Sequence, residues 1–179
     1  VGATQWPPAG SASRTLYLDA GDGAVASGPA SSGRLLDRPG DSGRRSLRHD
    51  PHDPVPSVGG PLCCSADALS PGPRDQRSVE ARADVLQFTT EALAEPVRLM
   101  GSAQVRLKVA IDGDDADWVV RLTDVAPDGP RARVTLGLLN LTHRESHAHP
   151  SPLTPGEVYE VTVEMDDIAQ AFPPGHRIG

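Results

Sequence analysis

Aromatic residues are scarce in this chain of 179 residues: two each of Trp, Tyr and Phe, 3% of the total. A core must therefore be assembled from Val, Leu, Ile and Ala, and a binding platform of clustered exposed aromatics has little to be built from. Lysine is nearly missing too, Lys108 standing alone among sixteen arginines. The first 90 residues carry 9 basic and 10 acidic side chains and the rest 8 and 14, for a net charge of −7. With no basic stripe for phosphates, nucleic acid is excluded as a partner. No apolar run approaches the roughly 20 residues that span a bilayer, and no leader pattern opens the chain. A soluble protein without a membrane partner is expected; no signal names its compartment, and the cytoplasm is favoured. The only cysteines, Cys63 and Cys64, are neighbours. They cannot scaffold a fold, an adjacent pair closes only a strained ring, and the spacing of a redox Cys-x-x-Cys is absent. A reduced, half-buried pair is the expectation.

What the chain does have is turn chemistry and alternation. Eighteen glycines and eighteen prolines, about a fifth of the residues, point to many turns and little helix. The organising stretch is 102–139. Val105, Leu107, Val109 and Ile111 alternate with Arg106, Lys108 and Ala110. Trp118, Val120 and Leu122 alternate with Val119, Arg121 and Thr123; Val134, Leu136 and Leu138 alternate with Arg133, Thr135 and Gly137. Period two sorts side chains onto the two faces of a sheet. With Asp112-Gly113-Asp114-Asp115 and Pro127-Asp128-Gly129-Pro130 as turns, a three-stranded antiparallel meander is predicted, its apolar sets inside. Val105, Leu107, Leu122, Leu136 and Val161 are expected to meet in one apolar layer.

Around it, strands are expected at 14–19, weakly near Leu35-Leu36, at 84–90 and at 158–165. A helical turn is expected within 67–73, an edge strand at 139–145, and a last strand after Pro173-Pro174-Gly175. The spacing fits an all-β jelly roll or β-sandwich, a single domain over 1–179 with an irregular, loop-rich segment at about 21–60. Beginning at Val1 and stopping just after Arg177-Ile178, the chain reads as a fragment, truncated at its C-terminal end.

Candidate chemistry is thin. Gly40-Asp41-Ser42-Gly43 resembles the nucleophile tetrapeptide of chymotrypsin-like proteases, but the base histidine of that order lies upstream, and the first histidine here is His49. No G-x-S-x-G elbow occurs, so the histidines have no nucleophile to activate. Asp112, Asp114, Asp115 and Asp117 are hard oxygen ligands without the order of a calcium loop; solvated carboxylates in a turn are the ordinary reading. His143, His147 and His149 lack the cysteine or further acidic ligand of a zinc site, Glu145 apart. Trp118 is a sugar-stacking platform only if it is not core, and its alignment with Val120 and Leu122 favours core.

Several stretches together resemble one family: Trp6-Pro7-Pro8, Asp53-Pro-Val-Pro-Ser-Val-Gly-Gly60, Gly72-Pro-Arg-Asp-Gln-Arg77, Glu80-Ala-Arg-Ala-Asp-Val-Leu86, Asp117-Trp118, Leu122-Thr-Asp-Val-Ala-Pro-Asp-Gly129, Leu153-Thr-Pro-Gly-Glu-Val-Tyr159 and Pro174-Gly-His-Arg-Ile178. Their order resembles the C-terminal jelly-roll, galactose-binding-like domain of the CocE/NonD hydrolases, which include cocaine esterase, α-amino-acid ester hydrolases and X-Pro dipeptidyl-peptidases. The resemblance implies a partner within the same parent protein, an α/β-hydrolase domain with a Ser-Asp-His triad, on which this domain packs. A small ester or peptide substrate would be met only through that domain. It implies no catalytic, cofactor-binding or metal-ligating residue in this chain, and no cofactor. Asp75, Gln76 and Arg77 match a family motif and are expected to anchor a loop at the interdomain contact. Leu47 stands where an aromatic is usual, and the family continues with a strand and a closing hairpin after Arg177-Ile178. Edges left open by that truncation predict marginal stability or self-association. The alternative is a free-standing module binding carbohydrate or protein.

Overall fold

The computed structural model describes residues 4–21, 33–40, 43–61 and 71–179. Among the described residues, ten short strands and almost no helix follow from the turn-rich, β-branched composition. The first alternating segment of the organising stretch pairs with the alternating segment at 158–165. β5 (Gln104–Val109) runs antiparallel to β8 (Tyr159–Glu164), with Leu107 opposite Val161 and Val105 opposite Val163. End to end with them β4 (Val97–Gly101) pairs with β9 (Ile168–Phe172), Met165 N–H donating to Ala103 between the two ladders. A second layer holds β6 (Asp117–Val125) between β7 (Arg131–Asn140) and β10 (Arg177–Ile178). A small third sheet joins β1 (Tyr17–Asp19), β2 (Gly33–Leu36) and β3 (Phe88–Thr89). This is the expected all-β sandwich, and the weak strand at Leu35-Leu36 is real.

The core lies between the layers. Buried Val109, Leu141, Leu153 and Val161 form one cluster, against which Leu107, Ile111, Trp118, Leu139 and Tyr159 pack. Each fully buried aliphatic side chain is worth about 1.5–3 kcal/mol.

Four expectations need correcting. The meander is only half right: β6 and β7 form a hairpin, but β5 crosses to the other layer. Residues 110–116 do not close a turn, because their ends prolong two different ladders: Gly156 N–H donates to Ile111 beyond the β5–β8 pairing and Leu141 N–H to Ala116 beyond β6–β7, with Leu153 N–H on Asp114 between them, at 2.8, 2.9 and 2.8 Å. The faces of β7 are also reversed. Trp118 pairs with Leu139, Val120 with Gly137 and Leu122 with Thr135, so Thr135 and Gly137 point inward, while Leu138 is 61% exposed. Gly137 is inside because the chain of β8 comes against it; a Cβ there would overlap the Glu164 carbonyl. Thus Leu107 and Val161 meet in the apolar layer, and Leu136 lies on the opposite face.

The strand at 84–90 shrinks to Phe88–Thr89, since the Asp84 and Gln87 side chains are held by Arg82 and Arg131. In place of an edge strand, β7 ends at Asn140 and a 3-10 turn, Leu141–His143, follows. The expected turn at 67–73 lies largely outside the described residues, among which the one α-helix is α1 (Arg77–Glu80).

Candidate interdomain site

The family-like motif Asp75-Gln76-Arg77 sits where the loop segment crosses β7. Gln76 is wholly buried. Its main-chain N–H donates to Arg131 O at 2.8 Å, and its Nε2 donates to Val58 O at 3.0 Å and Arg74 O at 2.8 Å. One residue, through its main chain and its side chain, thereby ties residues 58, 74–76 and 131 together. Asp75 Oδ1 accepts from the main-chain N–H groups of Arg131 and Arg77, at 3.1 and 3.2 Å. Its Oδ2 accepts from Arg77 Nε and Nη2, at 2.7 and 2.6 Å. These donors, the Arg77 guanidinium foremost, hold the Asp75 carboxyl down to about 2. The contact with Arg77 N–H also caps α1, which Gln76 does not.

Below the motif, Gly60 and Gly72 exchange two hydrogen bonds of 2.9 Å, and Gly60, at φ +108°, lies so close to the Arg133 guanidinium that any Cβ would overlap it. Glu80, nearly buried, pairs with Arg131, whose Nη1 also reaches Gln87 Oε1. Arg82 bridges Asp84 and Asp53, which lowers the Asp84 carboxyl. The motif is therefore a clamp that fixes residues 58–60 and 74–88 on one face of the β6–β7 sheet. Arg77 remains largely exposed over the Gly129 turn, beside a cleft of about 460 Å³ that Val125, Pro127, Arg131 and Arg177 help to line.

The other candidates dissolve into structure. Asn140 Nδ2 donates to Asp115 Oδ2 and Asp117 Oδ1, both at 3.0 Å, and Thr142 N–H donates to Asp115 Oδ1. The acidic loop is stitched to the end of β7, and the Asn140 contact leads in lowering the Asp115 carboxyl. The His143 ring bonds the Ser146 carbonyl at 3.2 Å, while His147 and His149 are exposed. Among the described residues no group of three or more His, Cys, Asp or Glu is placed to hold a metal ion, and no helix is long and apolar enough to cross a membrane. Trp118 packs on the core and offers no open platform. Ser42, Cys63 and Cys64 lie outside the described residues. Sequence reasoning missed one pair: His176 Nδ1 lies 2.7 Å from Asp124 Oδ1. That is the orienting half of a triad, but no serine or cysteine is hydrogen-bonded to His176 among the described residues. It buttresses β10 on β6, and the motif Pro174-Gly-His-Arg-Ile178 was its only signal.

The model of the X-Pro dipeptidyl-peptidase C-terminal non-catalytic domain matches residues 1–179. The chain belongs to this family. It is 35% identical over 175 residues to cocaine esterase of Rhodococcus sp. (strain MB1 Bresler), covering 98% of this chain and 30% of the esterase. Among solved structures it resembles an α-amino acid ester hydrolase (TM-score 0.75, 33% identity, 93% of this chain and 28% of that one). It also resembles an aminopeptidase from the marine sediment archaeon Thaumarchaeota archaeon (TM-score 0.78, 30% identity, 98% and 29%). As a member of the X-Pro dipeptidyl-peptidase C-terminal domain family, the chain spans less than a third of the length of these hydrolases.

Proposed function

We propose that this chain serves as the accessory C-terminal domain of a serine hydrolase that cleaves esters or X-Pro peptides. In this reading it packs on an α/β-hydrolase domain of the same parent protein and helps wall its active site. Water would be excluded there, so that oxyanion donors of the partner domain act in a low-dielectric site. Asp75, Gln76 and Arg77 contribute to the interdomain contact by holding the loops beside it, with exposed Arg77 nearest the boundary. The observation that carries the reading is the match to a non-catalytic domain over residues 1–179, alongside hydrolases of which the chain is under a third. The test is hydrolysis of a chromogenic acyl ester and of an X-Pro anilide. The parent protein is expected to turn over at least one of them, and this chain alone neither. Turnover by the isolated chain, persisting in Ser42→Ala, would overturn the assignment.

A further inference from the structure

The clamp covers only part of the outer face of the β6–β7 hairpin. At the other end of that face Val119 and Leu138 stand directly opposite each other in register, 47% and 61% exposed. The adjoining rung pairs Arg121 with Leu136, both half-buried. Here the cover stops, and it stops badly for charge. Arg121 Nε and Arg133 Nη1 are buried without a hydrogen-bond partner, and neither guanidinium has an ion pair among the described residues. The acid felt by Arg121 is Glu80, which Arg131 already occupies. Arg131 and Arg121 therefore share one carboxylate, and Arg133 has none, beside an exposed apolar rung. A contact surface has this composition: an apolar centre with an arginine wanting a counter-charge. A second copy of the chain fits poorly, since a two-fold contact through this face would set Arg121 against Arg121.

We propose that the rungs Val119–Leu138 and Arg121–Leu136 form the surface on which the parent protein's hydrolase domain docks, with a carboxylate of that domain set against Arg121. The inference rests on the reading under Proposed function, that such a domain is present. The patch runs into a cleft of about 250 Å³ between Leu138, Leu139, Asn140, His143 and His147, a seat for an apolar side chain of the partner.

The experiment is cysteine labelling of the intact parent protein with a maleimide, read peptide by peptide in a mass spectrometer. Leu138→Cys is compared with Val158→Cys, an equally exposed apolar position on another part of the domain. Leu138→Cys is expected to react about tenfold or more slowly than Val158→Cys, because labelling must await separation of the domains. Val119→Cys gives the same reading if Leu138→Cys does not fold. Adding Arg121→Glu is expected to speed labelling at position 138 several-fold, and Arg121→Gln less. Equal rates at 138 and 158 would overturn the docking surface, as would protection that vanishes when a dimer is diluted to monomer. A rate indifferent to Arg121→Glu would overturn the charge pairing. Turnover is scored separately: a protected Leu138→Cys in a parent that cleaves neither ester nor X-Pro peptide would remove the functional reading and leave the surface.

Discussion

Two alanine substitutions at adjacent positions, Gly137→Ala and Leu138→Ala, decide which face of β7 is inside. At Gly137 an added methyl would overlap the Glu164 main-chain carbonyl and lie 3.0 Å from Val163 Cγ1. A carbonyl cannot swing aside like a side chain, so β7 and β8 must separate. Overpacking of this kind costs about 1–3 kcal/mol. In a chain of this size each kcal/mol lowers Tm by roughly 2–4 °C, so a fall of about 2–12 °C is expected. Leu138, by contrast, already has most of its side chain in water. Truncation removes under half of a full burial worth about 1.5–3 kcal/mol and leaves no cavity, so the loss stays near or below about 1 kcal/mol. Were Leu138 inside, as the alternation alone implies, Leu138→Ala would cost about 2–5 kcal/mol. Gly113→Ala is the control, because only the Asp115 carbonyl, at 3.9 Å, lies near its Cβ; it should be neutral or slightly stabilising. Urea unfolding of this chain, followed by circular dichroism, ranks the three. A greater loss for Leu138→Ala than for Gly137→Ala would reverse the faces of β7 and abolish the exposed rung.

The clamp makes two further predictions. Asp75 titrates lower in the folded chain than in the unfolded one, so its contribution is present above about pH 4 and fades as pH falls toward 2. With 37% of the side chain exposed, screening reduces it to roughly 1 kcal/mol or less. Asp75→Asn should therefore melt a few degrees lower near pH 6, the gap closing by pH 2; a gap that persists at pH 2 would refute this account. Arg131→Met strands the nearly buried Glu80 and should cost about 2–4 kcal/mol, reduced from the full value for a buried pair because Arg131 is partly exposed. Removing both charges, Arg131→Met with Glu80→Met, should restore at least half of that in thermal melts; no recovery would mean that packing, not charge, is what the arginine supplies.

The legible part of this fold was its period. β5, β6 and β8 announce themselves because Leu107, Trp118 and Val161 recur on one parity with polar or exposed neighbours between them. β7 defeats the same reasoning, since Val134, Leu136, Leu138 and Leu139 put apolar residues on both parities. A bulge at Leu122/Thr123 then shifts the pairing with β7 and passes over Val134. The inward residue is chosen by close approach: glycine at 137 is a steric requirement, invisible to a hydrophobicity pattern. The meander failed for a related reason. Alternation shows that a strand exists and which side is greasy, but the choice of neighbour belongs to loops, and the 110–116 loop binds residues 141–156 through its backbone. At the candidate site, Asp75-Gln76-Arg77 stood out by motif alone; the partners that explain it, Val58 and Arg131, are distant in sequence.

Those partners also separate what identifies the domain from what faces its surroundings. Asp75 commits both carboxylate oxygens, and Gln76 its amide nitrogen and main-chain N–H, within the chain, on Val58, Arg74, Arg77 and Arg131, so a substitution there is felt first as a loosened clamp. The same clamp presses residues 58–60 and 74–88 onto β6 and β7 and, through Glu80, satisfies Arg131 but neither Arg121 nor Arg133. An uncompensated guanidinium at the margin of a buried layer is costly unless something beyond the layer answers it. The motif thereby creates the vacancy in charge beside Val119 and Leu138. On the docking proposed above, the domain meets its neighbour through residues that alternation places on an ordinary solvent face, while Asp75 and Gln76 are spent inside the domain and only Arg77 of the motif reaches outward.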